Sequence, residues 1–361
     1  MSKYRSNTSI IFASMIVGSL IGLPGCVTES EMDEIDTSQY KLYSDECQDT
    51  ANCGVNSAQI NGYAISELDL AGTPSIPGHP NSAGVEYLAL MSPGNELYTL
   101  SVENGGLVAT SPDGVVLSGN QLVDFRLILR AAGVVFPLYI TSHKYASTWT
   151  QPFKPRIPVY GLAYPGNLGF GIPLTRRPTE SLQSVCPGHT ASDTTAVVFA
   201  GEVYDVNLRT VIDSSTPQFP NIEHWMSIAC TGSAAAKMKF LNYGPQANFD
   251  GMGKSATARQ RQATLKMITA DYCGFGYSFT ETGTPIYWQN PYDSAENIQT
   301  PDTVEAVWSD TGALCINDGQ LRLHTYADVQ AICGPATPPP CPADLTIFPS
   351  WEWQTSNVLA P

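Results

Sequence analysis

Two pairs of neighbouring histidine and carboxylate residues carry the acid–base chemistry that this sequence offers. Glu223 directly precedes His224, and Asp193 follows His189 by four positions. A histidine beside a carboxylate can act as a general base in hydrolases, whose catalytic residues come together from distant parts of the chain. The sequence contains no Gly-x-Ser-x-Gly motif and no His-Glu-x-x-His motif. These four residues are the catalytic candidates, and ordinary structural histidines are the alternative.

Metal and nucleotide ligands do not occur at the spacings that their sites require. No two cysteines lie three positions apart and no two histidines lie within four, so we predict no zinc site. The segment 251–255 lacks the first glycine of a phosphate-binding loop, because Asn248 occupies that position. We therefore expect no cofactor and no nucleotide. Calcium is the one cation left open, since four acids lie in glycine-rich loops, as its oxygen ligands often do. They are Asp271, Glu281, Asp293 and Glu296.

The N-terminus has the pattern of a bacterial lipoprotein signal peptide over residues 1–25. A positive start is followed by the apolar stretch Ile10–Leu23, which is shorter than the ~20 residues of a membrane span. The stretch ends at Leu23-Pro24-Gly25-Cys26, which resembles a lipobox and predicts lipidation of Cys26. An ordinary signal peptide or an uncleaved anchor is the alternative. Val27 replaces the usual retention signal, so we expect an extracytoplasmic protein anchored at the outer membrane or cell surface.

The remaining cysteines indicate disulfide bonds in an oxidising compartment. The chain has nine cysteines, and eight remain when Cys26 is set aside. Eight cysteines allow 105 pairings, so spacing alone selects none of them. Cys47 and Cys53 are close enough to form a small loop, although each could pair elsewhere. The eight are Cys47, Cys53, Cys186, Cys230, Cys273, Cys315, Cys333 and Cys341.

The charge of the chain restricts its partners. The formal net charge is −15 and only 14% of the residues are charged. Such acidity disfavours nucleic acid, which binds basic surfaces, and it disfavours anionic lipid headgroups. Many of the acids lie in residues 26–50, which we interpret as a flexible, self-repelling tether.

The rest of the sequence predicts a β-rich α+β protein of two domains. Residues 51–150 alternate short apolar runs with turn signals, which is typical of a small β domain, sandwich or barrel-like. Residues 151–178 are rich in proline and predict a linker. Residues 179–320 predict a mixed α+β domain, with helices over 234–239 and 255–269. Residues 321–361 predict a proline-rich tail with one helix over 326–333.

One string of residues resembles a known family. Ala270-Asp271-Tyr272-Cys273-Gly274, followed by Glu305-Ala306-Val307-Trp308-Ser309 and Cys315, is similar to the motif of the ADYC domain. The resemblance covers about residues 180–320. ADYC domains occur in bacterial extracytoplasmic proteins, many of them lipoproteins. The resemblance implies a location and a disulfide-stapled fold, and it implies no activity.

The resemblance also implies a helix arrangement and one disulfide. Relatives carry cysteines where this chain has Met238 and Thr264, which implies that the helices around these two residues lie side by side. Cys230 and Cys273 flank the same two helices, so the resemblance makes them plausible partners.

We therefore expect a lipid-anchored cell-envelope protein that acts as a non-catalytic binding or structural module. The alternative is a secreted hydrolase of an envelope or environmental polymer, with a site built from distant residues. If aromatic side chains form an exposed face, a glycan or an envelope protein would be the partner of the binding module. The alternative is that these aromatic side chains lie in the core. The aromatic residues in question are Tyr287, Trp288, Tyr292 and Trp308.

Overall fold

The computed structural model of the chain describes a large part of the sequence, in several stretches. These are residues 58–60, 62–71, 81, 83–149, 156–166, 182–186, 194–205, 208–214, 216, 222–245, 255–281, 284, 286–291 and 303–356. The predicted signal peptide, lipidation site, tether and Cys47–Cys53 loop lie outside the described residues, as do His189 and Asp193, so they remain predictions.

The described residues form nineteen strands and three α-helices. The strands are β1 Gln59–Ile60, β2 Tyr63–Ala64, β3 Glu67–Asp69, β4 Val85–Met91, β5 Leu97–Glu103, β6 Gly106–Thr110, β7 Val116–Ser118, β8 Arg126–Ala131, β9 Val134–Ser147, β10 Arg156–Pro165, β11 Leu182–Ser184, β12 Thr195–Ala200, β13 Glu202–Asp205, β14 Thr210–Asp213, β15 Trp225–Cys230, β16 Tyr287–Gln289, β17 Ala306–Ser309, β18 Gly312–Ile316 and β19 Trp353–Ser356. The helices are α1 Ala234–Phe240, α2 Ala258–Thr269 and α3 Tyr326–Cys333. The protein is thus β-rich α+β, as the sequence predicts.

Eleven strands form one antiparallel sheet in the order β3-β15-β12-β10-β9-β8-β4-β5-β6-β7, with β11 beside β10. The sheet bends back on itself, since the Leu107 N–H of β6 donates to the Tyr160 hydroxyl of β10 at 2.8 Å. The apolar side chains between these strands form the first core. The predicted β segment of residues 51–150 is only part of this sheet, because β10, β11, β12 and β15 come from later in the chain.

The central strands of the sheet are buried on both faces. In β12, Ala196 and Val198 belong to the first core, whereas Val197 and Phe199 belong to a second core. Because successive side chains of a strand point to opposite faces, one strand serves both cores. Side chains of the three helices and of the four-stranded sheet formed by β16, β17, β18 and β19 make up the rest of the second core.

The predicted linker is wrong where the chain forms β10. This strand pairs with β9 from Arg156 to Ala163 and continues the main sheet into β12. A proline can occupy position 158 because it has no N–H to donate. On the side of β10 away from β9, the described pairing with β12 begins only at Tyr160. Strands from both predicted domains therefore share one sheet, and residues 156–165 of the predicted linker are a strand of it.

The predicted tail is also part of the fold. β19 lies between β16 and β17 in a four-stranded sheet of order β16-β19-β17-β18. Trp353 of β19 is fully buried, and its indole Nε1 donates to the Thr264 hydroxyl of α2 at 2.9 Å. The C-terminal strand therefore completes the second core.

The helices begin at the capping residues that the sequence contains. Ser233 caps α1 and accepts a hydrogen bond from the Ala236 N–H, as predicted. α2 starts three residues later than predicted, because Thr257 and Gln260 form a capping box there. α3 has the predicted bounds, with Gly334 at its C-terminal cap.

Three disulfides occur among the described residues, and one predicted pair is wrong. Cys186 is bonded to Cys230, Cys273 to Cys333, and Cys315 to Cys341. Cys230 ends β15 inside the main sheet, where Cys186 follows β11, whereas Cys273 lies in the turn after α2 and faces α3. The expected contact between the two helices is nevertheless present, since α1 packs against α2.

Candidate functional site

The motif Ala270-Asp271-Tyr272-Cys273-Gly274 is the turn that ends α2. Ala270 is the C-terminal cap in the left-handed conformation, with φ 50° and ψ 41°, and its N–H bonds to the carbonyls of Lys266 and Met267. A left-handed residue reverses the chain direction at a helix end. The following three side chains then point into the protein from one tight turn.

Asp271 makes a buried ion pair with Lys266. Their Nζ–Oδ2 distance is 2.7 Å, and their side chains are 0% and 1% exposed. The ammonium also donates to the carbonyls of Leu208 and Gly274, at 2.7 Å each. The carboxylate accepts from the N–H groups of Gly274 and Gly276 at 3.0 and 2.7 Å. Every ammonium proton has an acceptor and both carboxylate oxygens accept hydrogen bonds, so Asp271 is a structural anchor of the turn.

Tyr272 joins a second buried ion pair. Its hydroxyl donates to the Glu305 carboxylate and accepts from the Arg322 N–H at 3.3 Å. The Arg322 guanidinium lies 2.8 Å from the same carboxylate, and both side chains are at most 1% exposed. Burial, and then the negative charge of Glu305, raise the pKa of Tyr272 well above its usual value. The phenol therefore stays protonated and ties the motif to β17 and to the segment before α3.

Cys273 and Gly274 complete the connection of the turn to its surroundings. The Cys273–Cys333 disulfide joins the turn to the end of α3. Gly274 has φ +80°, and a β-carbon there would lie 1.7 Å from the Thr311 carbonyl oxygen. Only glycine permits this approach of the turn to the β17–β18 hairpin. All motif side chains thus have internal structural roles.

A second cluster of buried charge lies at the β13–β14 hairpin. Glu202 and Asp213 are directly opposite each other across the hairpin. Arg261 of α2 contacts both, with Nε 2.7 Å from a Glu202 oxygen and Nη2 3.0 Å from an Asp213 oxygen. Lys239 of α1 lies nearby, and its ammonium donates to the carbonyls of Gly105 and Val198 at 2.9 and 2.5 Å.

Burial shifts the protonation of this second cluster. It raises the pKa of Glu202 to about 8, because one guanidinium charge is shared by two carboxylates and does not offset the lost hydration. Burial also lowers the pKa of Lys239 to about 7, although the charge of Glu202 opposes that shift. A buried carboxyl group with a raised pKa can act as a proton donor, but the Glu202 side chain is only 1% exposed.

The one predicted His–carboxylate pair that the structure describes is a surface pair. The His224 Nε2 lies 3.7 Å from a Glu223 oxygen, and the two side chains are 51% and 64% exposed. Neither side chain lies in a buried environment of the kind that surrounds a catalytic general base. Two other described histidines have structural contacts: His143 packs between Tyr145 and Tyr160, and His324 packs against Phe279.

The structure describes three of the four aromatic residues that could form an exposed face, and one of them, Trp308, lies in the core. Trp308 is 0% exposed and donates from its indole Nε1 to the Thr355 hydroxyl at 2.8 Å. Trp288 is half-buried and packs against Trp149, with ring centroids 6.1 Å apart. Tyr292 lies outside the described residues. Trp308 therefore belongs to the core, which was the alternative role for the aromatic residues.

Lys266, Arg322, Glu202 and Arg261 are the important residues that sequence reasoning missed. Only Lys266 had a signal in the sequence, since it interrupts the apolar run from Leu265 to Ile268.

Among the described residues, no three His, Cys, Asp or Glu side chains come close enough to hold a metal ion. Within the same part of the chain, no helix has the length and apolar content that crossing a bilayer requires.

The fold and the motif turn define a β-rich, disulfide-bonded extracytoplasmic domain protein. A family model described as the ADYC domain matches residues 119–322, which is more than half of the chain. The chain therefore belongs to the ADYC domain family. The match begins upstream of the expected residue 180 and includes β8, β9 and β10, so the family domain contains much of the main sheet. No curated protein and no solved structure matched the chain.

Proposed function

We propose that this protein is a lipid-anchored, non-catalytic binding or structural module of the bacterial cell envelope. The main support for this proposal is that every side chain of the family motif has a structural contact within the fold. Asp271 is neutralised by Lys266, Tyr272 is held by Glu305, and Cys273 is bonded to Cys333. A motif that a reaction required would leave at least one of these groups open to a substrate.

The location follows from two features of the chain. Three disulfides indicate an oxidising, extracytoplasmic compartment. The lipobox-like sequence ending at Cys26 supports lipid attachment, and the acidic residues 26–50 support a spacer between the membrane and the folded domain. The membrane at the N-terminus is thus one proposed partner, with the outer membrane or cell surface as the site.

The hydrolase alternative has one supporting observation, which is the Glu202–Asp213 pair with its raised Glu202 pKa. A substrate would have to reach this pair, and Glu202 lies beneath Arg261 with its side chain 1% exposed. We therefore favour the module.

The proposal is tested by fractionation and by a polymer assay on the full chain. The unaltered protein should sediment with membranes, Cys26→Ser should release it, and Cys47→Ser should serve as the matched control that stays bound. Incubation with purified peptidoglycan or envelope polysaccharide should release no reducing ends. Release that disappears in Asp213→Asn would overturn the non-catalytic part, and a soluble unaltered chain would overturn the anchoring part.

A further inference from the structure

The outer side of the motif turn is unusually apolar. Four large apolar side chains lie there with substantial exposure, and we call them the motif surface. They are Leu208, Phe275, Tyr277 and Leu323, which are 51%, 46%, 43% and 58% exposed. Single exposed apolar residues are ordinary, but a contiguous group indicates an interaction site.

Contacts beneath the surface show that the four residues are neighbours. The Lys266 ammonium binds the carbonyls of both Leu208 and Gly274, so Leu208 lies beside the residue that precedes Phe275. The Tyr277 ring packs on Phe279 with centroids 4.6 Å apart. Phe279 in turn contacts His324 at 5.5 Å, and Leu323 directly precedes that histidine.

The motif surface is held rigidly from below. The Lys266–Asp271 ion pair, the Tyr272–Glu305 hydrogen bond and the Cys273–Cys333 disulfide all lie under it. Leu323 has φ +60°, a left-handed conformation that a leucine rarely adopts. Strain of this kind persists only where the surroundings impose it, and here it accompanies an apolar side chain turned to solvent. A rigid apolar group loses little conformational entropy when a partner binds.

The exposed charges around the motif surface are acidic. Glu281 follows Phe279 by two positions, and Asp318 and Asp328 bind the backbone N–H groups of Tyr326 and Thr325 just beyond Leu323. All three acids are exposed. Two cations of the same segments, Lys266 and Arg322, are buried and paired with carboxylates. A third, Arg209, is partly buried and interacts with Asp271 and Asp205, so the acids still outnumber the available positive charge. An apolar centre with a polar rim is the usual anatomy of a protein interface, and here the described rim is negative.

We propose that the motif surface docks a basic protein segment that carries apolar anchor side chains. The inference rests on the proposed function, since it assigns a site and a partner chemistry to the binding module. Charge complementarity selects this occupant, because the acidic rim and the net charge of −15 repel both a second copy and an anionic lipid surface. The mixture of aliphatic and aromatic side chains favours a protein over a sugar, which stacks on aromatic rings alone.

The test uses a fluorescein-labelled amphipathic peptide of leucine and lysine as the probe, with the full chain and fluorescence anisotropy. A peptide with glutamate in place of lysine is the charge control. Phe275→Ser/Leu323→Ser removes the apolar centre, and Val115→Ser/Val116→Ser is the matched control, since Val115 and Val116 are 55% and 60% exposed on another part of the fold. Melting temperatures of both double variants should equal that of the unaltered chain, because all four side chains are exposed.

We expect the Phe275→Ser/Leu323→Ser variant to bind the lysine peptide about tenfold more weakly, and the valine control to change Kd less than about twofold. Neutralising the rim with Glu281→Gln/Asp318→Asn should weaken binding about threefold or more and reduce its salt dependence. Equal binding by the two serine variants, or equal binding of the glutamate peptide, would overturn the inference. A chain that fails this test yet sediments with membranes and releases no reducing ends leaves the proposed function standing.

Discussion

The protonation of Glu202 makes the stability of this protein depend on pH in a predictable direction. The perturbation is Glu202→Gln, which retains the shape of the side chain and removes its titration. Glu96→Gln is the matched control, because Glu96 is an exposed glutamate in the turn between β4 and β5. The expected result is that the unaltered chain loses stability as the pH rises from 5 to 7, and that Glu202→Gln abolishes most of that loss.

The magnitude follows from the pKa of Glu202. Burial raises this pKa from 4.5 to about 8, so the folded state holds a proton that the unfolded state has released. A group with a raised folded-state pKa contributes its full stability below pH 4.5 and loses it as the pH rises towards 8. At ~1.36 kcal/mol per pKa unit, the loss between pH 5 and 7 is about 2.7 kcal/mol.

Two other groups titrate near this pH range, and each changes the free energy of unfolding in its own direction. Burial lowers the pKa of Lys239 to about 7, so its contribution to stability increases with pH mainly above 7. Burial also lowers the pKa of His143, and its contribution increases as the pH rises towards 6.5. His143 is present in the variant as well, and Lys239, whose pKa depends on the charge of Glu202, titrates mainly above pH 7. The difference between variant and unaltered chain from pH 5 to 7 therefore reports mainly on Glu202.

The assay is urea unfolding at pH 5, 6 and 7, followed by tryptophan fluorescence. The free energy of unfolding should fall by about 2–3 kcal/mol in the unaltered chain relative to Glu202→Gln over this range. Glu96→Gln should have the slope of the unaltered chain. A Glu202→Gln variant with that same slope would refute the reasoning, because it would mean that Glu202 is already ionised beside Arg261 in the folded protein.

Three further predictions concern the motif turn. Replacing Cys273 and Cys333 together by serine should lower the free energy of unfolding by about 4 kcal/mol, because the bond closes a loop with a sequence separation of 60. Tyr272→Phe should cost about 1–3 kcal/mol in urea unfolding, since it removes a hydrogen bond to a buried carboxylate. Gly274→Ala should cost at least about 3 kcal/mol by thermal unfolding, whereas Gly133→Ala, with a similar φ and open space around it, should cost about 1 kcal/mol.

Each of these predictions has an outcome that contradicts it. A Cys273→Ser/Cys333→Ser variant as stable as the unaltered chain would mean that the Cys273–Cys333 bond does not restrain the fold. A Tyr272→Phe variant with unchanged stability would mean that the hydrogen bond from the Tyr272 hydroxyl to Glu305 contributes no net stability. Equal costs at the two glycines would mean that backbone conformation alone, and not the contact with Thr311, requires glycine at the turn.

Local features of the fold could be predicted from the sequence because short segments determine them. The α1 cap at Ser233 and the bounds of α3 follow from side chains that bond to backbone groups three positions away. The motif string was also sufficient to identify the family, and the match over residues 119–322 confirms it.

Features that depend on distant partners could not be predicted. The prolines of 151–178 suggested a linker because proline lacks an N–H, but β10 needs few bonds on one side at Pro158. The Cys230–Cys273 pairing was wrong because neighbouring helices do not determine which sulfur atoms meet. The contacts of Glu202 with Arg261 and of Glu305 with Arg322 join residues far apart in the chain, and no local pattern marks them.

The sequence by itself determined the β-rich class, the oxidising compartment, the α1 cap and the family, since each depends on composition or on residues close together in the chain. Only the tertiary structure decided the rest: one sheet shared by both predicted domains, the disulfide partners, and the inward-facing roles of Asp271 and Tyr272. Strand pairing and burial are long-range, and a carboxylate becomes an anchor or a site according to which distant groups surround it.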